Sequence, residues 1–320
     1  MPVFPRPGQS YYAMPPVPAP SESSFTNSFG KVLPPVQYFE MDSGRAAYYS
    51  IPPVAQKASN ATTAPDRVLF IHGIQTCAID MLPLAQALHF SFLSSHFVLF
   101  DLWGHGLSEA PFQPYEASLF HLIIDKLLDY LKWPTAHLLG YAFGGALAVG
   151  YVALRPQRVS SYTLVAPAGL FRRSELSAEQ QACLSDEGDE KEVLGCVLGI
   201  LEGGPVAIPS DWKERVARGE VVAEAVRAWQ MVKHTGHAAA VVAMFRDGGL
   251  SDNEASFVAA VGTGVKNMVV LGELDGIVGK EQLADLGFKD VHVVKEAGHG
   301  LVRERVPEVK ALVEEFWRSL

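Results

Sequence analysis

Short apolar runs alternate with stretches of helical periodicity along most of the chain. Val68–Ile71 and Phe97–Phe100 are continuous runs of four apolar residues, which is typical of strands buried on both faces. Each run is followed by a stretch whose apolar residues have helical spacing, Ile79–Phe90 and Glu116–Leu131. Because alternating strands and helices favour parallel pairing with right-handed crossovers, the pattern predicts an α/β fold with a mostly parallel sheet.

Alternating apolar positions before these runs predict a β-hairpin. Val36–Met41 and Ala46–Ile51 have a period of two, and the turn-forming residues 42–44 lie between them. The same criteria predict four further strands and two further helices beyond the central runs. The strands are Ala136–Leu139, Tyr162–Val165, Asn267–Leu271 and Val291–Val294, and the helices are Phe143–Leu154 and Pro307–Leu320.

Two segments depart from this alternation. Residues 172–252 contain helical segments and no good strand, so we expect a helical cap, or lid, inserted in a core formed by residues 35–171 and 253–320. Residues 1–34 are rich in Pro and Ser and predict no periodic element, so we expect an extended arm that lies in a groove of the body. The predicted cap helices are Ala178–Leu184, Lys191–Leu201 and Val221–Val232.

Composition and charge narrow the possible classes of protein. The chain has 320 residues, of which 48% are hydrophobic, and its net charge of −9 argues against nucleic acid or an anionic membrane as partner. The apolar runs are shorter than the roughly 18 residues of a spanning helix. No signal-peptide pattern is visible, so a cytoplasmic protein with an unused sequon at residues 60–62 is expected. Cys77, Cys183 and Cys196 lack metal-type spacing and are expected to be reduced thiols; the oligomeric state stays open.

The stretch from Leu138 to Gly145 carries the main functional signal. Gly140 and Gly144 lie two residues on either side of Ala142, between a buried strand and a helix of small residues. This spacing is typical of a strand-to-helix elbow whose tip points over the sheet edge at a helix N-terminus. The first N–H groups of that helix can stabilise a developing anion. A nucleophile is expected at the tip, yet Ala142 has no nucleophilic atom.

Several motifs in order make residues 36–320 similar to the α/β-hydrolase fold superfamily. The resemblance is to its lid-bearing serine hydrolases of the esterase and lactonase kind, and it implies a doubly wound sheet. Besides the elbow it depends on an oxyanion loop, a D-x-x-G-x-G-x-S turn, an acid loop and a histidine loop. These are His72-Gly73, Asp101–Ser108, Gly272–Asp275 and Gly298–Gly300. The order nucleophile, acid, histidine is that of the superfamily.

The resemblance and the chemistry of acyl transfer together assign candidate catalytic residues. A hydroxyl nucleophile needs a base and the base needs an orienting acid. His299 is the candidate base and Asp275 the candidate acid, with Glu273 as the second choice for the acid. An oxyanion needs two backbone N–H donors, which we expect from Phe143 and Ile74.

The expected substrate is an apolar ester, lactone or thioester of low molecular weight. The cap is rich in Val, Leu and Ala, so an apolar acyl group or ring is expected to be enclosed beside the elbow. Gln75, Tyr141 and Trp229 are the tentative substrate contacts. The sequence implies no cofactor and no metal.

Two other histidine-containing motifs are interpreted as structural. His234 and His237 have helical spacing, but no Cys or carboxylate is spaced to complete a metal site. The Gly104-x-Gly106 pair lacks the third glycine of a dinucleotide-binding loop. Asp101 and His105 are expected to brace their loop.

Three interpretations of Ala142 stay open. The first is an inactivating Ser-to-Ala substitution in a serine hydrolase, which deletes one oxygen and keeps the pocket. The second is a natural enzyme that uses His299 and Asp275 as a base without a covalent step, for instance in a cyclisation, and the third is a ligand-binding pseudo-enzyme. Relatives with an Asp nucleophile usually carry Trp next, where this chain has Phe143. The intact histidine and acid loops favour the first interpretation.

Overall fold

One eight-stranded sheet organises the chain. The computed structural model describes residues 1–55, 65–184, 189–204 and 206–320, so the sequon at 60–62 lies outside the described residues. The strand order is β1-β2-β4-β3-β5-β6-β7-β8. The first hairpin is antiparallel, β2 pairs antiparallel with β4, and all later pairs are parallel. The strands are β1 Val36–Met41, β2 Gly44–Ile51, β3 Arg67–Ile71, β4 His96–Phe100, β5 Ala136–Tyr141, β6 Val159–Val165, β7 Asn267–Gly272 and β8 Val291–Val294.

Helices cover both faces of this sheet. Because neighbouring residues of a strand point to opposite faces, Leu138 packs into one apolar cluster with α3 and α4, and Leu139 into another with α2 and α13. The predicted α/β class with a doubly wound, mostly parallel sheet is therefore confirmed. None of the described helices is both long and apolar enough to cross a membrane. The helices are α1 Glu22–Phe29, α2 Ala78–His89, α3 Ala117–Tyr130, α4 Phe143–Leu154, α5 Ala178–Cys183, α6 Glu190–Glu202, α7 Trp212–Ala217, α8 Ala223–Lys233, α9 His237–Asp247, α10 Glu254–Gly262, α11 Lys280–Asp285, α12 Leu301–Glu304 and α13 Val306–Arg318.

Helices are the regular secondary structure in the described part of the insertion between β6 and α10. Helices α5 to α9 lie in residues 172–252, and no described residue of this segment belongs to a strand. Local capping explains where they begin and end: Ser177 and Gln180 form a capping box at α5, and Gly203 ends α6 in the left-handed conformation. An isolated bridge between Phe171 and Ser251 joins the two ends of the insertion. That the segment acts as a lid stays a prediction.

The N-terminal arm is partly helical, so the prediction of no periodic element in residues 1–34 is wrong at α1. Ser21 caps this helix by accepting a hydrogen bond from the Ser24 N–H at 3.2 Å. Phe25 and Phe29, one turn apart, are buried against Trp229 of α8 at ring-centroid distances of 5.3 and 6.0 Å. Tertiary packing of these two rings stabilises a helix that its polar sequence does not reveal.

The rest of the arm is extended and follows the body of the protein. Phe4 is buried and stacks on Tyr115 with ring centroids 4.8 Å apart. Val17 exchanges backbone hydrogen bonds with Ala110 at 2.8 and 2.9 Å. Arg6 pairs with Asp247 of α9 at 3.2 Å, so the arm contacts both the core and the helical insertion along its length.

Candidate active site

The elbow has the geometry that its glycines predict. Strand β5 ends one residue before Ala142, which has φ 51° and ψ −117°, and α4 begins one residue after it. A Cβ at Gly140 would overlap the carbonyl oxygen of Gly144, and a Cβ at Gly144 would overlap the carbonyl oxygen of Ile71. Positive φ at a residue other than glycine costs about 1–3 kcal/mol. The fold thus maintains a strained elbow although its tip has no reactive atom.

Hydrogen bonds hold the tip residue in this conformation. The Ala142 N–H donates to the Val165 carbonyl at 3.1 Å, and the Ala142 carbonyl accepts from the N–H groups of Gly145 and Ala168, each at 2.9 Å. Neighbouring strand β6 therefore supports the elbow from the side. The Ala142 side chain is 6% exposed.

The loop after β3 lies directly beside the elbow. A Cβ placed on Gly73 would be 3.0 Å from the Ala142 Cβ. The Gly73 carbonyl accepts hydrogen bonds from His72 Nδ1 at 2.7 Å and from Thr76 Oγ1 at 3.1 Å. Since the C=O and N–H of a trans peptide point in opposite directions, these bonds also fix the direction of the Ile74 N–H.

Within the described part of the chain, both expected oxyanion donors are unpaired. Among the described residues, neither the Ile74 N–H nor the Phe143 N–H donates a hydrogen bond to another protein group. Phe143 is the first residue of α4, where the helix leaves its first N–H groups free. The two donors depend on the backbone, so an alanine at the tip leaves them in place.

The histidine and acid loops meet beside the same elbow. His299 Nδ1 donates to Asp275 Oδ2 at 2.9 Å, and the Asp275 side chain is only 5% exposed. The His299 ring packs against the ring of Tyr141, the residue before the tip, with centroids 5.3 Å apart. Because Nδ1 is used by the carboxylate, Nε2 is the nitrogen left to exchange protons with a ligand.

The second-choice acid has a different partner. The Glu273 carboxylate accepts from the Glu296 N–H at 2.9 Å. The other oxygen of Asp275 accepts from the Ile277 N–H at 3.2 Å, which fixes the orientation of the carboxylate toward His299. Asp275, and not Glu273, is therefore the acid in contact with the histidine.

A buried ion pair that the sequence analysis missed lies behind the elbow. The Arg303 guanidinium of α12 pairs with the fully buried Asp80 of α2 and lies 6.0 Å from the centre of the Tyr141 ring. Burial raises the pKa of Tyr141 to about 12, so its hydroxyl stays protonated. The two charged residues are 223 positions apart, and no local pattern connects them. This pair joins the helix after the oxyanion loop to the helix after the histidine loop.

Asp101 braces the β4 loop as the sequence analysis expects. Its carboxylate accepts hydrogen bonds from the Tyr49 hydroxyl at 2.9 Å and from the N–H groups of Ala78 at 2.8 Å and Leu107 at 2.9 Å. Burial raises the pKa of this carboxyl to about 6. All of its observed partners belong to the scaffold, which assigns Asp101 a structural role.

Four buried histidines lie around the loop that follows β4 and link it to the oxyanion loop and to the helical insertion. His72, His105, His234 and His237 are each at most 1% exposed, and each ring is hydrogen-bonded to a backbone carbonyl. Burial lowers the pKa of all four, to about 4 for His72 and about 3 for His237. Within the described ranges, no group of three or more His, Cys, Asp or Glu side chains could hold a metal. The four rings are neutral packing groups.

These histidines make stability fall in acid. A histidine with a lowered folded pKa stabilises the fold above its unfolded pKa of 6.5, and that contribution is lost as the pH falls toward the folded pKa. For His72 the interval from 6.5 to about 4 corresponds to about 3 kcal/mol. Asp101 opposes this, because its raised pKa adds stability as the pH falls through about 6, and burial also raises the pKa of Asp80 and Glu202. Burial lowers the pKa of two further histidines, His96 and His121, so six rings oppose three carboxyls. We expect the urea midpoint to fall steeply between pH 6.5 and 4.

A pair of variants checks this expectation. His237→Gln removes one buried titrating ring and should flatten the stability profile between pH 6.5 and 4. His292→Gln, at a half-exposed position, should leave the slope unchanged. A urea midpoint that stays level or rises in acid would show that the buried histidines do not control the profile.

A cavity of about 760 Å³ lies beside the acid loop and one residue layer from the elbow; its described lining does not include Ala142, Asp275 or His299. Ala168, which donates to the Ala142 carbonyl, lies in its wall, and so do Gly276 and Ile277 just after Asp275. The volume is within the range of about 300–1,000 Å³ that is usual for sites of small molecules. The cavity lies between the insertion and the loops after β6 and β7, and its apolar lining is Leu170, Phe171, Ile200, Leu201, Phe245, Leu250 and Ile277.

The tentative substrate contacts have different surroundings. Trp229 packs on Phe25 and Phe29 of the arm and its Nε1 donates to the Ser24 carbonyl at 3.3 Å, so we assign it a structural role instead. Gln75 is 1% exposed, and its Oε1 has no hydrogen-bond partner among the residues that the structure describes. For Gln75 and Tyr141 the substrate role stays a prediction.

Comparison with known proteins agrees with this fold. The family profile of the alpha/beta hydrolase fold matches residues 66–184. The enol-lactonase of Burkholderia xenovorans is 19% identical, with a TM-score of 0.62 over 88% of this chain and 99% of that one. A serine-to-alanine mutant of a meta-cleavage product hydrolase from Pseudomonas fluorescens, complexed with acetates, is 18% identical, with a TM-score of 0.62 over 88% and 97%. The chain therefore has a fold of the α/β-hydrolase type, and the family match itself is confined to residues 66–184.

Curated relatives match in shorter segments. The dihydrolipoyllysine-residue acetyltransferase component of the acetoin cleaving system of Pseudomonas putida is 40% identical over 73 residues, 23% of this chain. A putative 2-succinyl-6-hydroxy-2,4-cyclohexadiene-1-carboxylate synthase of Bacillus subtilis is 30% identical over 119 residues, 35% of this chain. The matched segments span only 20% and 39% of the lengths of those proteins.

Proposed function

We propose that this chain binds small apolar esters or lactones at a serine-hydrolase-type site in which Ala142 takes the place of the nucleophile. The observation that carries the proposal is the pairing of His299 with Asp275 at 2.9 Å beside an elbow that keeps φ 51° at its tip. A strained backbone costs free energy and is found mostly at functional sites. Its presence beside an oriented histidine therefore supports a ligand-binding role.

The proposed chemistry follows from the positions of the groups. With a serine at position 142, His299 Nε2 would take the hydroxyl proton while the serine oxygen attacks the ester carbon. The Phe143 and Ile74 N–H groups would donate hydrogen bonds to the oxyanion, and the alcohol would leave with the proton from His299. Water would then release the acid by the same route. Ala142 deletes the attacking oxygen and leaves the other groups in place.

The apolar part of the cavity supports an ester or lactone with a hydrocarbon acyl group. Half of the described lining residues are aliphatic or aromatic, and the polar and charged ones, among them Arg172, Arg173 and Glu175, could contact the polar end of a ligand. The wall includes residues adjacent to both Ala142 and Asp275. A lactonase and a hydrolase are among the proteins with a similar fold. The carbonyl of a bound ester would lie between the two free N–H groups, and its acyl chain would enter the cavity.

The chain with Ala142 is expected to bind its ester and barely turn it over. Without a hydroxyl no acyl-enzyme forms, so rapid mixing with a p-nitrophenyl ester should give no burst of nitrophenol, and any residual rate should come from the oxyanion hole and binding alone. Calorimetry with the same ester should still detect binding. A burst equal to the enzyme concentration would contradict the proposal.

A cavity-filling variant tests where the ester binds. Ile200→Trp narrows the cavity and should weaken binding at least about tenfold, about 1.4 kcal/mol. Leu154→Trp, at a position that is 65% exposed on α4, is the matched control and should leave affinity unchanged. Equal affinity in both variants would mean that the ester lies elsewhere.

A second candidate function is proton transfer without a covalent step. The observation that favours it is the missing hydroxyl at position 142, together with a partial match to a synthase. In that case His299 would act directly on the ligand as a base, and the Phe143 N–H would stabilise an enolate in place of a tetrahedral oxyanion. Whether the alanine is an inactivating substitution or natural, the response to a serine at position 142 separates the two candidates.

A further inference from the structure

Both the backbone N–H and the backbone carbonyl of Gln75 form hydrogen bonds. Its N–H donates to His105 Nε2 at 3.2 Å, and its carbonyl accepts from Gln230 Nε2 at 2.7 Å. Gln75 has φ 64°, in the left-handed region that residues other than glycine seldom adopt. It directly follows Ile74, so its conformation sets the course of the chain immediately after the expected oxyanion donor.

Gln230 belongs to the insertion and is completely buried. It lies on α8, and its Oε1 accepts a second hydrogen bond, from the Gly106 N–H at 2.7 Å. One side chain of the insertion thus binds two separate loops of the core. Both bonds are short and buried, where losing a partner is most costly.

Helix α8 also packs by apolar contacts against the residues that follow the oxyanion loop. Phe25 and Phe29 of the arm form one buried cluster with Trp229, the neighbour of Gln230, and with Cys77 and Ile79 just after the oxyanion loop. The arm, α8 and the oxyanion loop therefore make a continuous packed unit. A shift of α8 would break the hydrogen bond to Gln75 and disturb this cluster together.

We propose that Gln230 is a positioning residue that couples the helical insertion to the oxyanion loop. By holding the Gln75 carbonyl it keeps the left-handed conformation of the residue that follows Ile74, the expected oxyanion donor. The catalytic consequence depends on the proposed function, whereas the mechanical coupling does not. A ligand that moves the insertion would thereby alter the oxyanion donor.

The kinetic test uses the Ala142→Ser background. Gln230→Met keeps the length of the side chain and removes both hydrogen bonds. We expect kcat for a small ester to fall about 10- to 100-fold, with KM within about twofold. The effect should appear in kcat because the Ile74 N–H donor acts in the transition state. Val232→Ala, at a position 75% exposed on the same helix, is the matched control and should retain kcat. An unchanged kcat, or a rise in KM alone, would overturn the proposal.

Hydrogen exchange decides the matter if the Ala142→Ser enzyme is inactive. In the chain with Ala142, Gln230→Met should raise exchange in peptides covering residues 74–79 at least about tenfold, while peptides of β3 keep their rates. The β3 peptides also report whether the variant remains folded. Unchanged exchange at residues 74–79 would overturn the coupling, whatever the outcome for the proposed function.

Discussion

Replacing Ala142 by serine is expected to switch on hydrolysis of small activated esters by several orders of magnitude. The other groups of the site are in place: His299 is paired with Asp275, and the Phe143 and Ile74 N–H groups are free among the described residues. In subtilisin, an unrelated protein with the same catalytic groups, loss of the serine costs about 2 × 10⁶ in kcat. Restoring the missing oxygen should recover a large part of such a factor.

Steady-state rates on a panel of p-nitrophenyl esters and lactones measure this gain. Ala117→Ser, which adds a hydroxyl at the start of α3, is the matched control and should stay inactive. A folded but inactive Ala142→Ser protein would favour the non-covalent base or a pure binding protein. Since those functions need no alignment of a hydroxyl with His299, their pockets could accept the serine without acquiring hydrolysis.

Replacing Asp275 by asparagine should remove most of the activity gained. The carboxylate holds the Nδ1 proton of His299 and stabilises the imidazolium that forms when the serine is deprotonated. An amide has no charge to stabilise the imidazolium, and its NH2 group can donate to Nδ1 and favour the wrong tautomer. The same change in a serine protease lowers kcat about 10⁴-fold. We expect a loss of that order in Ala142→Ser/Asp275→Asn, with the fold intact.

The neighbouring carboxylate provides the control for this variant. Glu273→Gln in the same background should retain most of kcat, because the Glu273 carboxylate contacts the Glu296 N–H and not His299. If Glu273→Gln lost as much activity as Asp275→Asn, the assignment of the acid would be wrong. Circular dichroism and melting temperature should be compared for both variants.

Much of the core could be predicted from the sequence because its signals are local. Continuous apolar runs predicted the central strands within about three residues, and Gly140 is needed for a backbone contact with Gly144, four residues away. The loop motifs are short, and the parallel sheet brings the carboxyl ends of their strands to one edge. Local chemistry and topology together were therefore sufficient to pair His299 with Asp275.

Features that depend on distant partners could not be predicted. Helix α1 is stabilised by Phe25 and Phe29 on Trp229, about 200 residues away in sequence. The ion pair of Asp80 and Arg303 likewise joins residues that are far apart in the sequence. The cavity is formed by several separated segments, so its shape, and with it the substrate, depends on tertiary packing that periodicity does not encode.

The most direct test of the central claim is the intact mass of the Ala142→Ser protein after treatment with a fluorophosphonate. The site described here should give one adduct per chain, located at position 142, since the reagent needs an activated hydroxyl and a free oxyanion hole. Adding His299→Ala should abolish the adduct, and the chain with Ala142 should remain unlabelled. A folded Ala142→Ser protein that gains no adduct would contradict the claim that only the nucleophile is missing.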